Sequence, residues 1–176
     1  MAELAELSNR RALRDSSFRT IRGFPWASSP DPPPDPLHAS LPPAVRLLGL
    51  AGILPQLALI AHAVVMGGSF AGQAGLAYAA VILSFLGGLW WMAALLAGLR
   101  DPMPYVVAVL PSLLGWGAIL WPPAGLWIVA LCLLASPAVD RRLSRRIALP
   151  QGWLGLRWQM ATGLGLTTLI LATLTA

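Results

Sequence analysis

Polar positions in this chain are bunched rather than alternating, and they leave five apolar runs of roughly 16–23 residues, against the ~20 needed to cross ~30 Å of hydrocarbon at about 1.5 Å per residue. The runs extend from about Ala44 to Met66, Tyr78 to Leu99, Pro104 to Trp121, Ala124 to Val139 and Trp158 to Ala176. None has the two-residue alternation of a barrel strand, and only helices and closed barrels satisfy their backbones in lipid. The pattern therefore predicts an all-α integral membrane bundle of five transmembrane helices. The fourth run is the shortest and stops at Ser136-Pro137, so it is expected to tilt little or to thin the bilayer.

Composition agrees with that picture. Hydrophobic residues make up 57% of the chain and charged residues 11%, too few to cover a soluble domain of 176 residues. The basic residues number twelve and all are arginine. Arg10, Arg11, Arg14, Arg19, Arg22 and Arg46 precede or open the first run, Arg100 follows the second, and Arg141, Arg142, Arg145, Arg146 and Arg157 lie between the fourth and fifth. The joint from Gly67 to Ala77, the Pro122-Pro123 turn and the C-terminal end carry no formal side-chain charge. By the positive-inside rule the arginine side faces the cytoplasm of a bacterial inner membrane, or the matrix across a mitochondrial inner membrane. Five spans then set the N-terminus inside and the C-terminus outside.

The chain divides into a polar head with a proline-rich linker, residues 1–43, and a transmembrane domain, residues 44–176. The head lacks clean helical periodicity, and the run PDPPPDP favours polyproline II. No apolar h-region follows its charges, which excludes a secretory signal; a mitochondrial transit peptide fits the arginines and serines but not Glu3, Glu6 and Asp15. Arg10, Arg11, Arg14, Arg141, Arg142, Arg145 and Arg146 are candidate docking residues for membrane lipid headgroups or an acidic partner surface, with no nucleic acid expected.

Inside the spans, Ala80, Ser84 and Gly88 recur every four residues with Gly87 beside them, a ridge of small side chains on which another helix can pack. That helix is either one of the chain's own or part of another integral membrane subunit. Pro55 and Pro111 each free a carbonyl four residues back, Ala51 and Val107, and are followed by Gln56 and Ser112. Paired broken helices of this kind can frame a solute site. His62 is the only intramembrane imidazole and could ligate haem iron or chlorin magnesium, or bond a quinone; a hydrogen-bonded histidine near the outer interface is the plain alternative. Trp121 and Tyr78 fall at the expected outer ends of their spans and Trp158 and Tyr105 near the inner ends, where aromatic belts form.

Absences bound the chemistry further. No Asp, Glu or Lys falls inside any predicted span, so neither a carboxylate proton relay nor a Schiff-base lysine is expected. Cys132 stands alone, and there is no phosphate-cradling glycine loop, nucleophile elbow or HExxH pattern. No catalytic residue, metal site or obligatory cofactor is expected, and the chain does not read as an enzyme.

Three blocks are less generic: YAAVILSFLGGLWW from Tyr78 to Trp91, VLPSLLGW from Val109 to Trp116, and the arginine-rich stretch from Asp140 through Gln151-Gly152-Trp153 to Arg157. Together they resemble the transmembrane protein 69 family, a domain of unknown function found in bacteria and mitochondria. The resemblance covers about Ala44 to Ala176 and implies a small multi-span membrane protein without an established activity. It also implies a histidine where this chain has Trp90, so a ligand role at that position would be lost here. The function expected from these features is a non-catalytic accessory or assembly subunit of an energy-transducing membrane complex, respiratory or photosynthetic. The alternatives are a small-solute channel or carrier around Gln56 and Ser112, and pigment, haem or quinone binding through His62.

Overall fold

The computed structural model describes residues 41–147 and 149–176. Arg10, Arg11 and Arg14, with the docking role expected of the head, lie outside the described residues. Within them the elements are α-helices: α1 (Pro43–Ala51), α2 (Leu54–Met66), α3 (Gly68–Leu96), α4 (Met103–Leu120), α5 (Pro122–Leu143) and α6 (Trp153–Thr175).

The first predicted span is α1 and α2 in series, interrupted at Gly52-Ile53. Pro55 has no N–H for the Ala51 carbonyl and its ring crowds that carbonyl, and here the α-helical ladder breaks, whereas α4 runs on unbroken past Pro111. The chain crosses the gap with tighter bonds, Gly52 N–H to the Gly49 carbonyl at 3.2 Å and Ile53 N–H to that of Leu50 at 3.0 Å. The Tyr78 hydroxyl, from α3, donates to the Gly52 carbonyl at the break.

Other predicted boundaries shift more. The joint expected from Gly67 to Ala77 is a single-residue turn at Gly67, whose φ of 100° is open to glycine and strained for other residues. Helix α3 begins at once and runs 29 residues, about 43 Å of rise against a ~30 Å core, so it tilts or projects. Tyr78 therefore stands within the helix instead of at its outer end. Helix α5 does not stop at Ser136-Pro137 either. Pro137 cannot serve the Leu133 carbonyl, but the Ser136 hydroxyl donates to that oxygen at 2.8 Å, and the helix continues to Leu143. Helix α6 likewise starts five residues before the predicted position, at Trp153 after Gly152. These two extensions bring Asp140 and Arg157 into helices.

Helix α3 packs against α2, α4, α5 and α6, while α5 also packs on α4 and α6, and α6 on α1 and α2. The core between them is built from Ala71, Leu76, Ala79, Leu83 and Leu86 of α3, Val129 and Leu133 of α5, and Leu164 and Leu171 of α6. In lipid such packing is held by close van der Waals contact rather than by expulsion of water. The α3–α4 seam shows how close: a Cβ on Gly87 would stand 2.3 Å from the Ala108 carbonyl oxygen. Among the described residues four helical segments, counting Pro43–Met66 as one broken helix, are long and apolar enough to cross a membrane, and α6 matches them in length at 23 residues.

Candidate functional site

Helices α3, α5 and α6 converge on a buried charge pair. Along α5 the inward stripe runs Leu126, Val129, Ala130, Leu133, Ser136, Pro137 and then Asp140; along α6 it runs Leu156, Arg157, Ala161, Leu164, Thr168 and Leu171. A helical stripe continued by one more step thus carries a carboxylate on one helix and a guanidinium on the other. The Arg157 Nε donates to Asp140 Oδ2 at 3.0 Å and Nη2 to Oδ1 at 3.3 Å. The indole Nε1 of Trp90, on α3, donates to Asp140 Oδ1 at 2.7 Å. The side chains of Arg157 and Asp140 are only 5% and 6% exposed, so both charges are removed from water and rely on each other.

Such charge-assisted, side-on pairing is among the stronger protein hydrogen bonds. Its sum charge is zero, and both carboxylate oxygens are engaged by donors. The group is therefore held as a fixed acceptor that fastens the ends of three helices. The fourth predicted run ends at Val139, which puts Asp140 just beyond it, and no carboxylate is expected inside any span. The structure corrects both, because Ser136 keeps α5 helical past Pro137. Where the family resemblance implies histidine, the indole of Trp90 supplies the donor to this carboxylate.

Around the pair the end of the bundle is basic. Arg46 lies against the α5–α6 joint, its Nη2 3.1 Å from where a Cβ on Gly152 would stand. Arg146 reaches across to Asp101 at 3.5 Å, and Asp101 Oδ1 also accepts the Met103 N–H at 3.0 Å at the start of α4. At the opposite end, Gly68 packs on Thr175. Among the described residues, arginines far apart in sequence, Arg46, Arg146 and Arg157, thus meet at one end of the bundle. Arg142, Arg145 and Arg146 line an open cavity of about 480 Å³ between α3, α4 and α5, whereas Arg141 lines a separate one of about 240 Å³ between α5 and α6.

The remaining candidates fall elsewhere. Ala80, Ser84 and Gly87, expected as a possible partner face, are taken up by α4 of the same chain. Gly115 packs on Ala80, the Ser84 hydroxyl donates to that of Ser112 at 2.8 Å, and Gly87 sits against Ala108. Gly88 alone of that set points outward, with nothing within 4 Å of its Cβ position. Gln56 is completely buried and donates through Nε2 to Thr168 Oγ1 on α6 at 3.1 Å; its Oε1 has no partner. Gln56 and Ser112 therefore bond to different helices, α6 and α3. His62 stacks obliquely on Phe70, ring centroids 5.2 Å apart, with Nδ1 buried and unpartnered. Among the described residues no three His, Cys, Asp or Glu side chains form a metal-holding group.

Apolar helices of membrane-spanning length packed around an ion pair define an integral membrane protein of the α-helical class. Residues 41–174 match the family described as "Protein of unknown function (DUF3429)", and the chain belongs to it. No curated protein matches the chain, nor does any solved structure.

Proposed function

We propose that this chain is a non-catalytic accessory or assembly subunit of a larger membrane complex, docked through the uncovered side of α3. One observation carries the reading. Helix α3 has neighbours in α2, α4, α5 and α6, yet Phe70, Val81, Phe85 and Met92 are each more than half exposed along its remaining side, with Gly88 open between the last two. A bulky ring beside a bare glycine offers a knob and a hollow to one more transmembrane helix. An energy-transducing complex, respiratory or photosynthetic, is the partner this reading favours. In the proposed orientation, which rests on the positive-inside rule, the arginine end faces the cytoplasm of an inner membrane, N-terminus inside and C-terminus outside.

A photoreactive residue at Phe85, followed by mild-detergent purification from native membranes, tests the docking. Cross-linking to a co-purifying integral membrane protein supports it. A protein that migrates alone and cross-links only to lipid refutes it. Cysteines at positions 46 and 142, in a Cys132→Ala background, should label from the cytoplasmic side and one at position 67 from the other.

A second reading rests on His62, whose buried Nδ1 lacks a partner. On it the imidazole binds a haem, chlorin or quinone. Purified protein without visible absorption and without extractable quinone excludes that role.

A further inference from the structure

We propose that the cavity at the basic end between α3, α4 and α5 binds one anionic phospholipid, its phosphate held by Arg142, Arg145 and Arg146 and one acyl chain laid between α4 and α5. Three features lead to this occupant. The first is charge. Arg142, Arg145 and Arg146 are spaced three and four residues apart around the end of α5, so they gather on one side of a helical turn. Arg141 diverges into the cavity beside Trp158. Asp101 is the one carboxylate in the lining; counted against three guanidiniums it leaves two formal positive charges facing the opening. The positive end of the α4 dipole adds to them.

The second is shape. The cavity, about 480 Å³, lies within the roughly 300–1,000 Å³ of small-molecule sites. Trp90, Val107 and Val139 form its floor and are also the rim of an apolar cleft of about 170 Å³ that continues between α4 and α5 to Leu114 and Cys132. From Val107 to Leu114 the cleft follows seven helical positions, about 10 Å of rise. A basic mouth opening directly into an apolar furrow along the membrane normal matches a molecule with an anionic head and a hydrocarbon tail. The third is location. The mouth lies at the arginine end, at the level where helices meet headgroups, and basic pockets between helices there suit anionic lipids.

The proposal is independent of the α3 docking face. Native mass spectrometry of the full chain in a nonionic detergent, given equal amounts of phosphatidylglycerol and phosphatidylcholine, tests it. Each arginine near the headgroups is worth about fivefold in binding, so the Arg142→Gln/Arg145→Gln/Arg146→Gln variant should lose on the order of 100-fold of the phosphatidylglycerol preference. These side chains are exposed, and far-UV circular dichroism should show the variant folded. Arg141→Gln removes the same charge outside the cavity and should cost far less than Arg142→Gln. Ala135→Phe, at an exposed position lining the cleft, should reduce retention with every arginine in place. Equal losses for Arg141→Gln and Arg142→Gln would mean diffuse surface charge and overturn the site. Displacement by inorganic phosphate, together with an unaffected Ala135→Phe, would identify a free-phosphate site and overturn the lipid.

Discussion

Replacing Asp140 with leucine should be among the most damaging single changes available in this bundle. It leaves the Arg157 guanidinium, 5% exposed, without its counter-charge, and the Trp90 N–H without its acceptor. Removing one partner of a buried pair costs about 3–5 kcal/mol, roughly two to three and a half orders of magnitude in the folding equilibrium. Arg157→Met should cost a similar amount by stranding the carboxylate. The double variant differs in kind, since an apolar pair of similar volume carries no desolvation penalty. Only the Trp90 N–H then remains unpaired, at about 1–3 kcal/mol. The double variant should therefore be more stable than either single one, with strong non-additivity in the cycle. Reversible unfolding by dodecyl sulfate in mixed micelles, followed by tryptophan fluorescence and far-UV circular dichroism, measures all four corners. Single variants within about 1 kcal/mol of the parent, or costs that simply add, would show that the pair does not hold the three helices together.

Adjacent glycines on α3 give a paired test in the same assay. Gly87→Ala drives a Cβ toward the Ala108 carbonyl and should lose about 1–3 kcal/mol, while Gly88→Ala meets open space and should be neutral or gain up to about 1 kcal/mol of helix propensity; equal effects would refute the close seam. Tyr78→Phe removes the donor to the Gly52 carbonyl at the α1–α2 break and should cost about 0.5–1.5 kcal/mol, with an unchanged midpoint counting against that bond. Gln56→Met should stay within about 1 kcal/mol of the parent, because Thr168 keeps its bond to the Leu164 carbonyl and the unpartnered Oε1 disappears; a loss above about 3 kcal/mol would show that the amide has a partner beyond Thr168.

Much of the architecture was legible because lipid imposes a simple rule on sequence. Spans reveal themselves as apolar runs, and α4 was placed within one residue at each end. The misplacements share a cause, which is that an interruption of an apolar run looks the same whether it ends a helix or receives a neighbouring one. Gly67 to Ala77, with Gly72 and Gly75, reads as a joint; in the structure those glycines admit Thr175 and Leu171 of α6 against a continuous helix. Ser136-Pro137 reads as a stop until the serine hydroxyl is seen to take up the freed carbonyl. Asp140 and Arg157 then read as parts of a polar loop, although the spacing from Val129 through Leu133 and Ser136 to Asp140 already carried the inward periodicity.

Residue order alone establishes apolar runs of spanning length, with arginines confined to the head, the opening of the first run and alternate joints. Both are properties of residues taken a few at a time, since hydropathy sums locally. Helix packing selects which charges stay outside and which two go in. Asp140 and Arg157 are seventeen positions apart and become partners only when α5 and α6 pack, with Trp90 fifty positions upstream on α3. It likewise decided that the Ala80–Gly87 ridge belongs to α4, and that three arginines open onto an apolar cleft. A local pattern records a side chain's polarity, whereas its partner depends on which helices come within hydrogen-bonding distance.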